Sequence, residues 1–247
     1  MPEPAPRPAP RLRGVLTDWG GVLTNPIPET VAAWLKADRI DKKGYMAVIM
    51  EWVGEAYDAA AAGPAAAAGP GTAAGPAAAA GPGTAALAAN PIHALERGEC
   101  TREEFERVLA AQLTRTDGSA VPAAGLLERM FAATVEVEPM FELFRGLRRA
   151  GVRTGLVSNS WGNEYPREVF AELFDAVVIS GEVGMRKPEE RIFRHALAEL
   201  RLEPAECAFI DDIEANIAAA EALGMTGVHH RDAEATASAV KNLFGLA

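Results

Sequence analysis

The sequence predicts an α/β protein in which a parallel sheet is covered by helices on both faces, with an all-helical domain inserted after the first strand. Three observations carry that prediction. The stretch 14–24, GVLTDWGGVLT, is a short apolar run that ends on Asp18 and breaks into Gly20-Gly21, as a buried strand does at its C-terminal end. Between positions 26 and 135 no convincing strand occurs. From position 139 on, short apolar runs alternate with stretches of helical periodicity, a pattern that implies right-handed crossovers and a parallel sheet. At 247 residues the chain is long enough for one large core or for a core plus a smaller domain.

Taken in order, residues 1–13 alternate Pro with Ala, Glu and Arg and lack the apolar stretch of a signal peptide, so they read as a disordered tail. After the first strand Asn25-Pro26 punctuates a loop, and Pro28 suits the first turn of a helix with Val31, Trp34 and Leu35 on one face. A second helix at about 45–57 is apolar on most sides. Residues 63–74 then read GPAAAAGPGTAA, and 75–86 repeat the same letters. No side chain there is larger than Thr, so neither copy has a face to bury, and Gly-Pro interrupts every Ala run. The stretch 59–89 therefore reads as a flexible insertion without chemistry. Order resumes at Asn90-Pro91. Thr101-Arg102-Glu103-Glu104 has the spacing of a capping box, and Phe105, Val108, Leu109 and Leu113 give the helix it opens an apolar stripe. A further helix covers about 123–134, which makes 26–135 a helical insertion between two parts of a core, 14–25 and 136–247.

Met140, Leu143, Phe144 and Leu147 define an amphipathic helix that stops at Gly151, and 152–157 is a strand. A helix through 170–174 precedes a strand at 176–180. The helix expected at 188–200 has Pro at its start and Ile192, Phe193, Ala196 and Leu197 inward. A strand at 207–210, a helix at 213–223 closed by Gly224, a strand at 226–229 and a helix at 233–244 complete the chain. Open α/β sheets take ligands at the carboxyl ends of their strands. Asp18, Ser158 and the Asp211-Asp212 pair are thus expected to converge on one edge.

A carboxylate, a hydroxyl, a lysine and an acidic pair at strand ends form a consistent set for phosphoryl transfer through an aspartyl-phosphate. Carboxylates meeting at one edge repel unless a hard cation lies between them. Mg2+ takes oxygen ligands and neutralises charge on phosphoryl oxygens. Lys187 supplies a compact positive charge and Ser158 a hydrogen bond to a phosphoryl oxygen. Each feature also has a plainer reading: Ser158-Asn159 as the start of a turn, Lys187 as a solvated flank before Pro188, and Asp211-Asp212 as a helix cap. Their occurrence together, in this order on alternating strands, favours the site.

The order of Asp18 in TDWGGVLT, Ser158 in LVSNS, Lys187 in GMRKPE and Asp211-Asp212 in FIDDIEANI resembles the four sequence motifs of the haloacid dehalogenase-like hydrolase superfamily. Within it, GEVGMRKPEERIF and FIDDIEANIAAAEALGM are most similar to the branch that holds the N-terminal phosphatase domain of soluble epoxide hydrolase and bacterial sugar-phosphate phosphatases. The resemblance implies a Rossmann-like, three-layer core with a helical cap after the first motif, and Mg2+-dependent hydrolysis of a phosphomonoester. Carried over by motif, Asp18 is nucleophile and metal ligand, and Ser158 and Lys187 bind phosphate with Asn159 beside them in the substrate site. Asp212 matches the main metal-binding aspartate, with Asp211 next to it, and Gly20 contributes a backbone carbonyl to the metal. One departure stands out. Most phosphatases of the superfamily carry a second aspartate two residues after the nucleophile as general acid and base, and here that position is Gly20. General acid–base help is worth about 10² to 10⁴ in rate. Gly20 therefore implies a slow enzyme, a good leaving group such as an acyl or sugar-1-phosphate, or a replacement group from the cap.

A net charge of −10 argues against nucleic acid as partner, and no segment reaches the roughly 20 apolar residues of a membrane span. The expected partner is a small phosphorylated molecule. Cys100 and Cys207 are too few and too scattered for a disulfide framework, which fits a reduced, cytoplasmic setting. Two other functions fit parts of the pattern. One is a non-catalytic relative that binds metal and phosphate; the other is a 2-haloacid dehalogenase, which needs no metal and so leaves Asp211-Asp212 unused. His93 and Glu96, beside Arg97, read as helix-surface residues, and Trp161 as either pocket-lining or core. His229 and His230 are adjacent on a strand and face opposite ways.

Overall fold

The computed structural model describes residues 12–61, 87, 89–162 and 165–246. The tandem copies at 63–86 and tail residues 1–11 lie outside the described residues. Five parallel strands, β1 (Gly14–Thr17), β2 (Arg153–Ser158), β3 (Ala176–Ile179), β4 (Cys207–Asp211) and β5 (Thr226–His229), form one sheet in the order β3-β2-β1-β4-β5. The first strand is central. The chain runs outward from it to β3, returns, and runs the other way from β4, so the strand order reverses between β1 and β4. Ligands of open α/β sheets bind at the carboxyl ends beside such a reversal.

Side chains alternate between two buried faces. Val15, Leu156, Ala208 and Ile210 pack on one side against α6 (Glu138–Arg149), α7 (Arg167–Leu173) and α11 (Ala233–Phe244). Leu16, Val157 and Phe209 pack on the other against α9 (Glu190–Leu200) and α10 (Glu214–Ala222). Each fully buried aliphatic or aromatic side chain contributes about 1.5–3 kcal/mol. These strands read as continuous apolar runs because both of their faces are covered.

Between β1 and β2 lie α1 (Ile27–Ala37), α2 (Lys42–Ala61), α3 (Pro91–Glu96), α4 (Arg102–Gln112) and α5 (Leu126–Phe131). They share their own apolar cluster, built on Trp34, Tyr45, Ile92, Phe105, Leu109, Leu126 and Met130. The capping box forms as expected: Glu104 N–H donates to Thr101 Oγ1 at 3.2 Å, and Thr101 N–H to Glu104 Oε2 at 2.8 Å. The buried carboxylate of Glu106 caps α5, accepting from Gly125 N–H at 3.1 Å and Leu127 N–H at 2.9 Å.

Several boundaries differ from expectation for local reasons. Leu12 and Arg13, expected in the tail, are held: Leu12 packs on the core, and Arg13 N–H donates to Glu206 O at 2.7 Å. Of the stretch 59–89, expected as a flexible insertion, residues 59–61 continue helix α2 and Leu87 packs against the helical cluster. The helix expected from Pro188 starts at Glu190, because residues 186–189 form a turn closed by Glu189 N–H on Arg186 O at 2.9 Å. The short helix α8 (Ser180–Val183) was not foreseen, since four residues are too few to show a period.

Candidate active site

Strand register assembles the site. Thr17 pairs with both Leu156 and Ile210, and Asp18 N–H donates to Ile210 O at 2.9 Å, which brings Asp18 level with Asp211. Ser158 ends β2 on the other side. Lys187 enters from the turn after α8 and is 1% exposed. Its Nζ lies 2.8 Å from Asp18 Oδ1 and 2.7 Å from Asp211 Oδ2, and 5.6 Å over the Phe209 ring. Asp18 Oδ1 also accepts from Trp19 N–H at 2.7 Å, so both contacts anchor the same oxygen.

Asn159 does something other than expected. Its Oδ1 accepts from Lys187 N–H at 2.8 Å and its Nδ2 donates to Lys187 O at 3.0 Å, so the whole amide is committed to the lysine's backbone. It thereby fixes the Lys187 backbone at the site edge. Ser158 Oγ is buried and lies 3.0 Å from Tyr165 OH. Burial pushes the Tyr165 phenol up, so it stays protonated at neutral pH.

The adjacent aspartates have opposite surroundings. Asp211 has no exposure and is fully engaged: besides Lys187 it accepts from Ile213 N–H at 2.8 Å and from Asn216 Nδ2 at 3.0 and 3.1 Å. Asp212 is part-exposed and lies against Gly21, where a Cβ would come within 2.4 Å of Asp212 Oδ2. Gly21 also has φ +78°, so that position demands glycine on two grounds. Gly20 itself abuts the Ile27 side chain, 3.2 Å from where its Cβ would be.

Carboxylate oxygens of Asp18, Asp211 and Asp212 lie within 4.8 Å of one another. Lys187 is the cation that bridges two of them. Burial, then Asp211 and Asp212, push Asp18 up to about 7 against the opposing pull of Lys187. Burial and Asp211 raise Asp212 as well. Burial opposes the charge on Lys187, but its two carboxylate partners outweigh that and hold its pKa above the usual lysine range. Burial is the main cause of the rise on Asp18, and beyond it two carboxylates bridged by one ammonium, with Asp212 beside them, leave negative charge in surplus. Oxygen donors at this spacing with an excess of charge suit a hard divalent cation, and Asp18 and Asp212 are the residues able to hold it while Lys187 and Asn216 engage Asp211.

Sequence reasoning missed the residues around this centre. Glu96, expected on the helix surface, is buried, ion-paired with Arg186 and bound by Trp161 Nε1 at 3.0 Å. The signal was available: Glu96 stands four residues after the apolar Ile92, on the same face of α3. The Trp161 ring meets Phe105 at 5.8 Å and Phe131 at 6.4 Å edge-on, so it belongs to the helical cluster. His229 Nε2 reaches Asp212 O at 3.0 Å while His230 Nδ1 meets Thr236 Oγ1 at 2.9 Å, so the two rings do point apart.

A doubly covered parallel sheet with acidic groups and a buried lysine at its switch point defines an α/β protein with a charged carboxyl edge. The family model for haloacid dehalogenase-like hydrolases matches residues 12–224, and the chain belongs to that family of hydrolases. It is 36% identical over 110 residues to sesquiterpene phosphatase astK of Aspergillus oryzae, covering 43% of this chain and 56% of that one. It is 27% identical over 168 residues to bifunctional epoxide hydrolase 2 of Rattus norvegicus, covering 62% of this chain and 30% of that one. The chain thus spans about a third to a half of the length of these curated relatives. Among solved structures, a predicted HAD-like family hydrolase from Porphyromonas gingivalis matches with a TM-score of 0.61 at 23% identity, over 94% of this chain and 97% of that one. A HAD family enzyme from Bacteroides thetaiotaomicron, in complex with magnesium and inorganic phosphate, matches with a TM-score of 0.54 at 20% identity, over 89% and 94%. These likenesses show the Rossmann-like α/β fold. Among the described residues, no helix is long and apolar enough to cross a membrane.

Proposed function

We propose that the chain is a Mg2+-dependent phosphatase that hydrolyses a small phosphomonoester through an aspartyl-phosphate on Asp18, with residues 26–135 as its helical cap. The observation that carries this reading is Lys187 Nζ bridging Asp18 and Asp211 while Asp212 closes an acidic cluster beside them. Asp18, Asp212 and the Gly20 carbonyl would hold the ion with Asp211, and when bound it would neutralise phosphoryl charge. An Asp18 oxygen forms a bond to phosphorus as the ester oxygen departs with the electron pair of the P–O bond. Lys187 and Ser158 Oγ bind the phosphoryl oxygens, and Asn159 holds Lys187 in place. Water then attacks phosphorus and gives its proton to solvent, the bond to Asp18 breaks, and inorganic phosphate leaves. Gly20 offers no proton to the departing oxygen, and Ile27 fills the adjacent space, so an intrinsically good leaving group suits this site. The phosphatase relative at 36% identity supports the reaction class. Both cysteines are buried free thiols, in keeping with a reducing, cytoplasmic setting.

The test is release of inorganic phosphate from an aryl phosphate with and without Mg2+, in the wild type and in Asp18→Asn. Turnover that needs Mg2+ and vanishes in the variant is expected. Undiminished turnover in the variant would remove Asp18 as nucleophile, and Mg2+ binding without any turnover would make the chain a binding module instead.

A further inference from the structure

Both residues that bracket the lysine turn are gripped by the short helix α3. Arg186 pairs through Nε with Glu96, the two side chains being 4% and 7% exposed, and Trp161 Nε1 donates to the other Glu96 oxygen at 3.0 Å. Glu189, at the far end of the turn, accepts from Arg97 Nε at 2.8 Å. The next residue, Gly98, approaches so closely that a Cβ there would lie 2.6 Å from Gly181 O, beside the start of α8. Helix α3 is therefore docked without slack against the segment that carries Lys187.

The signs of these pairs matter. Glu96 and Arg97 are consecutive and opposite in charge, and they meet Arg186 and Glu189, also opposite. A shift of α3 along the turn sets Glu96 toward Glu189 or Arg97 toward Arg186, so like charges guard the register. Burying a charged pair costs desolvation that an apolar contact avoids, which makes Glu96 and Arg186 poor choices for stability alone. The turn is also already closed locally, by Glu189 N–H on Arg186 O and by the Asn159 amide on Lys187.

We propose that Glu96 and Arg97 are positioning residues that tie the seating of the helical insertion to the register of Lys187, so that the phosphate-binding geometry is complete only with α3 docked. The inference rests on Lys187 being the phosphate ligand of the hydrolysis proposed above. Displacement of the turn by an ångström takes Nζ away from its bridge between Asp18 and Asp211, and misplacements of that size cost one to two orders of magnitude in rate.

The experiment uses the full chain with Glu96→Gln, Arg97→Met, Arg97→Lys, Arg186→Met and the Glu96→Gln/Arg186→Met double variant. Affinity for inorganic phosphate in the presence of Mg2+ is measured by calorimetry and scaled to the folded fraction, beside kcat/KM for an aryl phosphate. Glu96→Gln and Arg97→Met are expected to weaken phosphate binding and lower kcat/KM by about tenfold each. Arg97→Lys recovers part of that loss, and the double variant is no worse than Arg186→Met alone. Phosphate affinity within twofold of wild type in the folded variants overturns the proposal, as does a loss of kcat/KM that follows only the folded fraction. Should Glu96→Gln fail to fold, the part-exposed Arg97 pair carries the same comparison. A wild type that binds phosphate without turnover sinks the hydrolysis reading and leaves the phosphate affinities to decide the coupling; a wild type that binds no phosphate removes both.

Discussion

The carboxyl edge of the sheet and the helices between β1 and β2 both bury carboxylates, and they treat them in opposite ways. In the helices each buried carboxylate has donors of its own: Glu106 takes two backbone amides and Arg102, while Glu96 takes Arg186 and Trp161. At the edge, Asp18 and Asp211 share Lys187, and Asp212 adds a third carboxylate beside them. Balanced buried charge is structural. Surplus buried charge marks a place that awaits a ligand, because only an added cation or proton relieves it.

The largest test of this contrast is Asp18→Asn. Turnover is expected to fall by about 10⁴-fold or more, as when a nucleophile is removed from an enzyme acting as a unit. Because the variant also removes one carboxylate from a site with too many, the metal-free protein at pH 8 is expected to melt higher than wild type. A lower melting temperature there would mean that Asp18 is balanced after all. Lys187→Met makes the opposite change, stripping the bridging cation from between Asp18 and Asp211. A loss of about 3–5 kcal/mol is expected, read by urea unfolding at pH 8, since a buried charge left without its partner is costly.

Proton and metal should substitute for one another at this edge. Asp18 binds its proton more tightly in the folded chain than at the ordinary value of 3.8, so its contribution to stability is complete below that value and is lost as the pH rises through about 7. Melting of the metal-free protein is expected to decline over that window. Mg2+, which needs ionised carboxylates, is expected to raise the melting temperature at pH 8 and to do little at pH 4. Equal stabilisation at both values would place the ion elsewhere.

Gly21→Ala probes the same edge more gently. The positive φ costs about 1–2 kcal/mol for a residue with a Cβ, and the added carbon collides with Asp212 Oδ2. Weaker Mg2+ affinity, about tenfold by calorimetry, is expected, with a modest fall in stability. Unchanged affinity would free Asp212 of the metal role.

How much of this was legible in the sequence differs between the two regions for the same physical reason. Ser158 and Asp211 end strands and Asp18 directly follows one, and parallel register then fixes their neighbours, so a linear pattern of apolar runs carries three-dimensional information. The Asp211 and Asp212 environments were not separable, because which carboxylate is engaged depends on Asn216 and Lys187 folding back from other elements. Asn159 likewise looks like a ligand residue until its amide is seen to close on Lys187. In the helices, Thr101 and Phe105 were readable from local spacing, whereas Glu96 meets Arg186 across 90 residues of chain, a pairing that no local period reveals. The tandem copies at 63–86 carry no apolar side chain of size, so nothing in their letters ties them to either region.

The smallest effect belongs to the helical side, and it is the control for all the others. Thr101 and Glu104 satisfy each other's backbone amides at the start of α4, on the surface. Thr101→Ala removes one acceptor and is expected to cost about 1 kcal/mol, read as a fall of a few degrees in melting temperature. Neither kcat/KM nor phosphate affinity is expected to change, because the cap holds α4 and not α3. Loosening one helix of the insertion would then leave the chemistry intact, while breaking the α3 ion pairs would not. A drop in phosphate affinity with Thr101→Ala would instead mean that the insertion acts on Lys187 as one body, and that no single helix sets its register.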